Sequence, residues 1–278
     1  MEPIWYLGPA GNLQALTCPD KGVKLNTIRY GGVHRALSGA STVDITGFKD
    51  EFEFEWSYAT EEEVRALRAM HTRIVPGPFW LINPLRKNRL SLRATQLFFL
   101  TRSFPGVWVF DGAGIEYAND WPEDAGLGGR CVRWHNKPSS PTVLTFDYAK
   151  WVPVRPGEEL TVSVYMKGSG SHVPQIRWLD KTGVQIGSPV VGTGTVSSSW
   201  ARHELTATAP AGAALMRFDV LSQSSTADVY VAAPQIEANS EATYWEPGGG
   251  SVWVNLDQLD TSSPRFPLFN VSMTLLEA

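Results

Sequence analysis

The sequence predicts a mainly β protein, a β-sandwich with one α-helix that is interrupted by an inserted β jelly-roll domain. Three observations lead to this prediction. Short runs of alternating apolar and polar residues recur along the chain, one segment has helical periodicity, and the last residues alternate again as a strand. The 278 residues include 25 glycines and 19 prolines, a composition typical of turn-rich β architecture.

The composition excludes several other classes of protein. The formal net charge of −4 and the isoelectric point of about 5.8 argue against a protein that binds duplex DNA or anionic membranes mainly by charge. No apolar run approaches the ~18 residues of a membrane helix, and the first residues lack the pattern of a signal peptide. Cys18 and Cys131 are too few for a disulfide framework or a zinc knuckle. We therefore expect synthesis in a reducing cytosol and neither a membrane nor a specific nucleic acid as partner.

A half-buried strand and a capped helix follow one another in the first hundred residues. Apolar and acidic residues alternate from Phe52 to Trp56, which places the three aromatic side chains on one face. Thr60 and Glu63 match a capping box, and the residue spacing predicts a helix over about 61–72. The apolar face of this helix is predicted to consist of Val64, Leu67, His71 and Ile74.

Two shorter features come after the helix. A basic loop, Arg86-Lys87-Asn88-Arg89, is predicted to be exposed at an interface with a neighbouring subunit or protein, through the side chains of Arg86, Lys87 and Arg89. Apolar residues then alternate from Leu90 towards Phe98 and Phe99, which predicts another strand.

Residues 105–247 have a different pattern, with many short strands separated by Gly, Pro and Ser and no helical periodicity. Short strands of this kind predict a jelly roll or sandwich. A flexible joint follows at residues 247–250, after which alternating residues are predicted to complete the sheet of the first hundred residues. The predicted domains are 1–100 together with 250–278, and 105–247 as an insertion.

Several of these features resemble known families. The Phe52 to Trp56 strand, the capped helix, the run Gly77 to Pro84 and the C-terminal Leu275-Leu276-Glu277 together resemble minor tail proteins of siphophages, in particular the distal tail protein. The middle segment resembles the jelly rolls of carbohydrate-binding module families 4 and 9. Its matching motifs are Val154 to Ser163, Ser199-Trp200, Ala209 to Ala213, Pro234 to Glu237 and Ala242 to Gly248.

The resemblance implies a tail-tube-like first domain and a structural, non-enzymatic protein of a phage tail tip. The expected assembly is a homo-oligomeric ring of six copies that joins the tail tube to the adhesion apparatus. Its expected neighbours are the tail tube protein and the tail hub or tape measure protein, and its expected location is the virion tail tip after assembly in the host cytoplasm. Sheet edges such as residues 43–56 are candidates for subunit pairing. A trimeric tail hub component and a secreted or cell-associated carbohydrate-binding protein remain open as alternatives.

The insertion is the candidate for binding host-surface polysaccharide. Seven of the eleven tryptophans lie in it, and flat aromatic faces stack on sugars while amides and carboxylates bind the hydroxyl groups. The predicted carbohydrate-binding residues are Trp178, Tyr165, Trp151, Gln175 and Asp180.

Catalytic and metal-binding patterns are sparse. No pair of carboxylates is placed as a glycosidase requires, no nucleophile elbow occurs, and the five histidines are scattered. We therefore expect no enzymatic activity and no cofactor, apart from a structural calcium ion. Calcium prefers oxygen ligands, and the predicted ligands are Asp111, Glu116 and Asp228.

Overall fold

The computed structural model describes residues 4–20, 22–43, 47–97, 105–126, 129–223 and 226–278. The predictions made for Phe98 and Phe99 lie outside these residues. The chain forms two compact units. Unit 1 comprises Met1–Pro9, Gln14–Leu81 and Val252–Ala278, and unit 2 comprises Ala10–Leu13 and Ile82–Ser251.

The fold is mainly β, as predicted. The strands and helices in the first part of the chain are β1 (Trp5–Gly8), β2 (Gln14–Leu16), β3 (Val23–Tyr30), β4 (Val33–Arg35), β5 (Ser41–Val43), β6 (Gly47–Ala59), α1 (Glu61–His71), β7 (Phe79–Ile82) and α2 (Leu92–Thr95). The middle part contains β8 (Val107–Val109), β9 (Gly114–Ala118), a 3-10 turn (Glu123–Ala125), β10 (Cys131–His135), β11 (Thr142–Phe146), β12 (Val152–Pro153), β13 (Glu159–Gly168), β14 (His172–Leu179), β15 (Gln185–Val191), β16 (Ala201–Thr208), β17 (Leu215–Ser222) and β18 (Val229–Glu237). The last strands are β19 (Ser251–Arg265) and β20 (Leu268–Glu277).

Unit 1 is built on a seven-stranded sheet of order β2-β1-β7-β19-β20-β6-β3. The C-terminal strands therefore complete the sheet of the N-terminal ones, as the alternation after residue 250 predicted. Phe52, Phe54 and Trp56 are buried on one face of β6, which confirms the predicted face. Because β6 pairs with β20 on one side and β3 on the other, the predicted edge at residues 43–56 is wrong for β6.

Helix α1 begins at the predicted capping box. The Thr60 hydroxyl accepts a hydrogen bond from the Glu63 backbone N–H, and the Glu63 carboxylate accepts one from the Thr60 N–H. The predicted apolar face is only partly correct. The helix ends at His71, so Ile74 lies beyond it and is 78% exposed, and Met70 is buried in place of His71.

The strand predicted from Leu90 onwards is also wrong in its described part. The Ser91 hydroxyl accepts a hydrogen bond from the Ala94 N–H and caps the short helix α2. The apolar residues there follow a helical turn, because Leu90 and Ala94 both join the core of unit 2.

Unit 2 has the strand order of a jelly roll, as predicted. Its five-stranded sheet has the order β16-β13-β18-β10-β9, and its six-stranded sheet has the order β15-β14-β17-β11-β8, with β12 also paired to β17. Eight of these strands, β10, β11 and β13 to β18, make up the jelly roll, with four in each sheet. Strands that follow one another along the chain are distributed between the two sheets in the arrangement produced by two Greek keys. The core lies between these sheets and includes Trp134, Phe146 and Phe218. In the described part of the chain, no helix has the length and apolar character to cross a membrane.

Candidate functional site

The six-stranded sheet of unit 2 has an apolar inner face and a polar outer face. Along β14 and β17, the residues that point into the core are Ile176, Trp178, Met216, Phe218 and Val220. Side chains alternate along a strand, so the intervening residues lie on the outer face. Among them are Gln175, Arg177, Arg217 and Asp219.

Asp219 lies at the centre of this outer face and is fully buried. Its carboxylate accepts hydrogen bonds from the Thr145 hydroxyl, from Arg177 Nε at 3.1 Å and from Arg217 Nε at 2.7 Å. Burial raises the pKa of Asp219, and the hydrogen bonds and the two guanidinium charges counter this shift. The carboxylate therefore fixes the position of both arginines.

Neutral side chains hold the arginines from the sides. Arg177 donates from Nε to Gln175 Oε1 at 3.1 Å and from Nη1 to Gln185 Oε1 at 3.2 Å. Arg217 donates from Nη2 to the Thr145 hydroxyl oxygen at 2.8 Å. We call these six residues the arginine cluster: Thr145, Gln175, Arg177, Gln185, Arg217 and Asp219.

Three aromatic side chains, which we call the aromatic rim, flank the arginine cluster. Trp108 and Tyr148 are stacked with ring centroids 5.6 Å apart, and Phe110 meets Tyr148 edge-on at the same distance. The guanidinium carbon of Arg217 lies 5.4 Å from the centroid of the Phe110 ring. All three aromatic residues are partly exposed, so ring surface remains accessible beside the arginines.

Strand register places Trp108 of the aromatic rim and three residues of the arginine cluster in one row. Trp108 is directly opposite Thr145, Thr145 is opposite Asp219, and Asp219 is opposite Gln175. Three strand spacings of about 4.8 Å give a row of about 14 Å, long enough for an oligosaccharide segment rather than a single small ion. The row combines a flat aromatic surface with hydrogen-bond donors and acceptors, the combination that recognises a sugar ring.

The outer face of the five-stranded sheet is occupied by the protein itself. Residues 239–246 are hydrogen-bonded to it, through Thr161 to the Asn239 carbonyl and through Glu237 to Thr243. Lys167 binds Asp120 at the same face. These contacts leave the six-stranded sheet as the better candidate.

The predicted carbohydrate-binding residues are separated by the fold. Gln175 belongs to the arginine cluster, but Trp178 points into the core and is 3% exposed, so it offers no surface for stacking. Tyr165 is buried on the five-stranded sheet, beneath the guanidinium of Arg202. The assignments of Trp178 and Tyr165 to a stacking surface are therefore wrong.

Trp151 and Asp180 lie at the turn between β14 and β15. The Asp180 carboxylate accepts hydrogen bonds from the Thr182 and Val184 backbone N–H groups, which stabilises the turn. A hydrogen bond from the Thr182 hydroxyl, together with these backbone bonds, holds the pKa of Asp180 below its usual value. The Trp151 ring packs against Gly183, where an added Cβ would come within 2.8 Å of it. Both residues shape the turn.

The predicted interface loop is largely internal to unit 2. Arg89 is 6% exposed and Asn88 is fully buried, where its side-chain amide donates to the carbonyls of Pro234 and Glu246. Lys87 forms a partly exposed ion pair with Glu246, with Nζ and Oε1 3.1 Å apart. Arg86 is half-buried. Arg89 is therefore not an exposed interface residue.

The predicted calcium ligands are engaged elsewhere. Glu116 and Asp228 both bind the guanidinium of Arg133, and Asp111 accepts a hydrogen bond from the Thr142 hydroxyl. Within the described residues, no group of three or more acidic, histidine or cysteine side chains is placed to hold a metal ion. The three residues do not fit a shared calcium site.

The sequence patterns missed most of the arginine cluster and the whole aromatic rim. The alternation that places Met216, Phe218 and Val220 on one face of β17 also places Arg217 and Asp219 on the other. That signal was present in the sequence. The identity of the strands beside β17 was not present in the sequence pattern, because it depends on contacts of Asp219 with residues 42 and 74 positions away.

Comparisons with known proteins give a partial likeness of fold. No family model matches the chain, and no curated protein matches it. One similar solved structure is the enzymatically active domain of tailspike protein 4 of bacteriophage CBA120, with a TM-score of 0.45 and 15% identity over 55% of this chain and 21% of that chain. The chain thus matches about a fifth of that structure's length.

Carbohydrate-binding modules are also among the similar structures. The CBM22-1 xylan-binding domain of Xyn10C from Paenibacillus barcinonensis has a TM-score of 0.38 and 12% identity over 53% of this chain and 93% of that domain. A structure described as a CBM4 module has a TM-score of 0.37 and 11% identity over 51% of this chain and 94% of that one. The likeness extends over about half of the chain, and no functional residue is transferred from it.

Proposed function

We propose that unit 2 is a carbohydrate-binding module whose binding face is the outer face of the six-stranded sheet. The observation that carries this proposal is the row of Trp108, Thr145, Asp219 and Gln175, with Arg217 stacked over Phe110. An aromatic surface next to fixed polar groups suits a ring with one apolar face and a rim of hydroxyl groups.

We propose that this face binds without catalysis. A glycosidase requires two carboxyl groups about 5 to 10 Å apart. The strands of the six-stranded sheet contain one carboxylate, Asp219, and it accepts hydrogen bonds from Thr145, Arg177 and Arg217. The Asp219 carboxylate therefore serves to position these three side chains, and the strands of this sheet offer no second carboxyl group for catalysis.

Binding of the full-length protein to a panel of immobilised polysaccharides tests this proposal. The variant Trp108→Ala removes the stacking surface, and Trp200→Ala removes a partly exposed tryptophan from the opposite sheet as a matched control. We expect Trp108→Ala to weaken binding about tenfold or more, and Trp200→Ala to change it less than twofold. Absence of binding across the panel, or equal losses in both variants, would contradict the proposal.

We also propose that unit 1 assembles the protein into a ring at a phage tail tip, which joins the tail tube to the adhesion apparatus. The supporting observation is a set of exposed apolar side chains at and beside the edge strand β3 and the β4–β5 hairpin. These side chains, which we call the edge patch, are Tyr30, Val33, Leu37, Val43 and Phe48. Exposed apolar patches beside an unpaired strand edge favour association with another copy.

The proposed ring contains six copies, with the tail tube protein and a tail hub or tape measure protein as neighbours. Six copies would raise the effective concentration of the glycan site and increase avidity about 10²-fold without a new contact. A trimer is expected instead if the protein is a hub component. A monomer is expected if it is a secreted or cell-associated binding protein.

The mass of the purified protein in native mass spectrometry distinguishes these assemblies. Val33→Lys introduces a charge into the edge patch. Tyr58→Lys introduces the same charge at the C-terminal end of β6, outside the edge patch, and serves as a control because Tyr58 is 64% exposed. We expect a sixfold mass that Val33→Lys reduces and Tyr58→Lys does not. A monomer under all conditions, including mixing with the tail tube protein, would exclude the ring.

A further inference from the structure

The charges on the proposed binding face are not balanced. The strands of the six-stranded sheet contain four titratable side chains, of which His172 points inward and packs against Trp134. The remaining three, Arg177, Arg217 and Asp219, share the outer face. With Asp219 ionised, this face carries one unit of positive charge, although the whole chain has a formal net charge of −4.

The two arginines are also direct cross-strand neighbours. Arg177 on β14 is opposite Arg217 on β17. Like charges in this position destabilise a sheet, and Asp219 offsets only part of that repulsion. At Arg133, which is also in unit 2, the balance is different, because that single guanidinium binds two carboxylates, those of Glu116 and Asp228. Because Asp219 neutralises only one of the two guanidinium charges, the arginine cluster can bind a second anion.

Both guanidinium groups have donors to spare. Arg177 uses Nε and Nη1, and Arg217 uses Nε and Nη2, in their bonds within the arginine cluster. No described residue accepts a hydrogen bond from Arg177 Nη2 or from Arg217 Nη1. The arginine side chains are 28% and 17% exposed, whereas Asp219 is not exposed at all. An incoming ligand therefore meets the guanidinium groups and not the carboxylate.

We propose that this face selects an anionic saccharide, whose oxyanion group is bound by Arg177 and Arg217 while its ring stacks on the aromatic rim. This inference rests on the proposed glycan-binding function and specifies its ligand class. The oxyanion is a carboxylate, sulfate or phosphate, since the guanidinium fork binds all three with paired hydrogen bonds. Because the net charge of the chain repels polyanions at long range, the selectivity must arise from local contacts.

A pair of polymers that differ only in charge tests the inference. Polygalacturonate and its fully methyl-esterified form share one backbone, and the ester removes the carboxylate charge. Dextran sulfate with dextran, and phosphorylated mannan with mannan, form the corresponding sulfate and phosphate pairs. The full-length protein is titrated with each pair in a buffer of about 0.15 M salt, which screens exposed charges beyond about 8 Å.

Variants of Arg177 test whether the preference for anionic polymers depends on the arginine cluster. Arg177→Gln removes the charge, Arg177→Lys keeps the charge but loses the fork, and Lys181→Gln removes an exposed positive charge from the turn next to β14. We expect at least one anionic polymer to bind tenfold or more tighter than its neutral partner. Arg177→Gln should abolish that preference, Arg177→Lys should reduce it, and Lys181→Gln should leave it within twofold. A thermal unfolding curve for each variant verifies its fold.

The outcomes separate this inference from the function on which it rests. Equal affinity for charged and neutral partners, with Trp108→Ala still weakening both, overturns the anion selectivity and leaves the glycan-binding function in place. An anion preference that Arg177→Gln and Lys181→Gln reduce equally also overturns it, because general charge attraction then explains the binding. Failure of all the polymers to bind contradicts both proposals.

Discussion

Arg89 and Glu158 form a two-bond ion pair in the interior of unit 2. Arg89 Nη2 lies 2.6 Å from Glu158 Oε1, and Arg89 Nη1 lies 3.1 Å from Oε2, with side chains only 7% and 4% exposed. Burial opposes the ionisation of Glu158, but the bonds from Arg89 and Arg155 outweigh it and lower the pKa of the carboxyl group. Arg89, which the basic sequence of its loop predicted to be exposed, thus holds Glu158 in place immediately before β13.

Breaking this ion pair should strongly destabilise the protein. Arg89→Met leaves the Glu158 carboxylate buried with only the partly exposed Arg155 as a charge partner, which we expect to cost about 3 kcal/mol or more of unfolding free energy. Lys87→Met breaks the exposed pair with Glu246 and should cost less than about 1 kcal/mol. Urea unfolding of the two variants provides the comparison. Equal costs would show that the Arg89 pair contributes no more than a surface pair.

Asp147 should make the protein less stable as the pH rises. Its buried carboxylate accepts hydrogen bonds from the N–H and hydroxyl of Ser91, yet burial raises its pKa from 3.8 to about 6. Because the raised pKa belongs to the folded state, the stabilisation is complete below about pH 4 and is lost as the pH rises through 6. The loss amounts to about 3 kcal/mol.

The variant Asp147→Asn isolates this contribution. Asparagine tolerates the positive φ of 48° at this position and keeps one acceptor oxygen for Ser91. The difference in unfolding free energy between the wild-type protein and the variant should fall by about 2 kcal/mol between pH 4 and pH 6, and by about 3 kcal/mol over the whole titration. A difference that is independent of pH would mean that Asp147 titrates at its ordinary pKa.

The contribution of His172 to the free energy of unfolding should change in the opposite direction, and increase as the pH rises over the same range. His172 is fully buried against Trp134, and burial together with the charge of Lys137 lowers its pKa from 6.5 to about 4. The folded protein therefore holds the imidazole neutral, and this contribution is present above pH 6.5 and lost as the pH falls towards 4. In His172→Phe we expect the acid-side loss, about 3 kcal/mol, to disappear. If the variant retains the full acid-side loss in urea unfolding, His172 is not its source.

Local patterns in the sequence were sufficient for the elements that local physics determines. The capping box at Thr60 and Glu63 marks the start of α1, because both of its hydrogen bonds connect residues three positions apart. The alternation from Phe52 to Trp56 likewise identifies a half-buried strand and its apolar face. Neither inference requires knowledge of the rest of the chain.

The candidate site was less predictable because it is assembled across strands. Trp178 and Ile176 occupy the same face of β14, so alternation alone should have placed both in the core and Gln175 and Arg177 outside. Which aromatic residue shares the polar face with Gln175 depends on the order of β14, β17, β11 and β8 in the sheet. That order results from long-range pairing, and it brings Trp108 rather than Trp178 to the polar face.

The loop at residues 86–89 illustrates the same limit for charged residues. A run of basic residues is exposed by default, since burying an unpaired charge is costly. Arg89 is buried because Glu158, 69 positions away, compensates its charge. Only the folded structure reveals such a partner.

The measurement that tests the central claim most directly is an NMR titration of the tryptophan indole N–H signals with a bound saccharide. The eleven tryptophans give eleven such signals, which single substitutions assign. We predict that the Trp108 signal shifts in proportion to the bound fraction, while the signals of Trp178 in the core and Trp200 on the five-stranded sheet stay in place. A shift at Trp200 with none at Trp108 would contradict the account, because it would place the glycan on the opposite sheet.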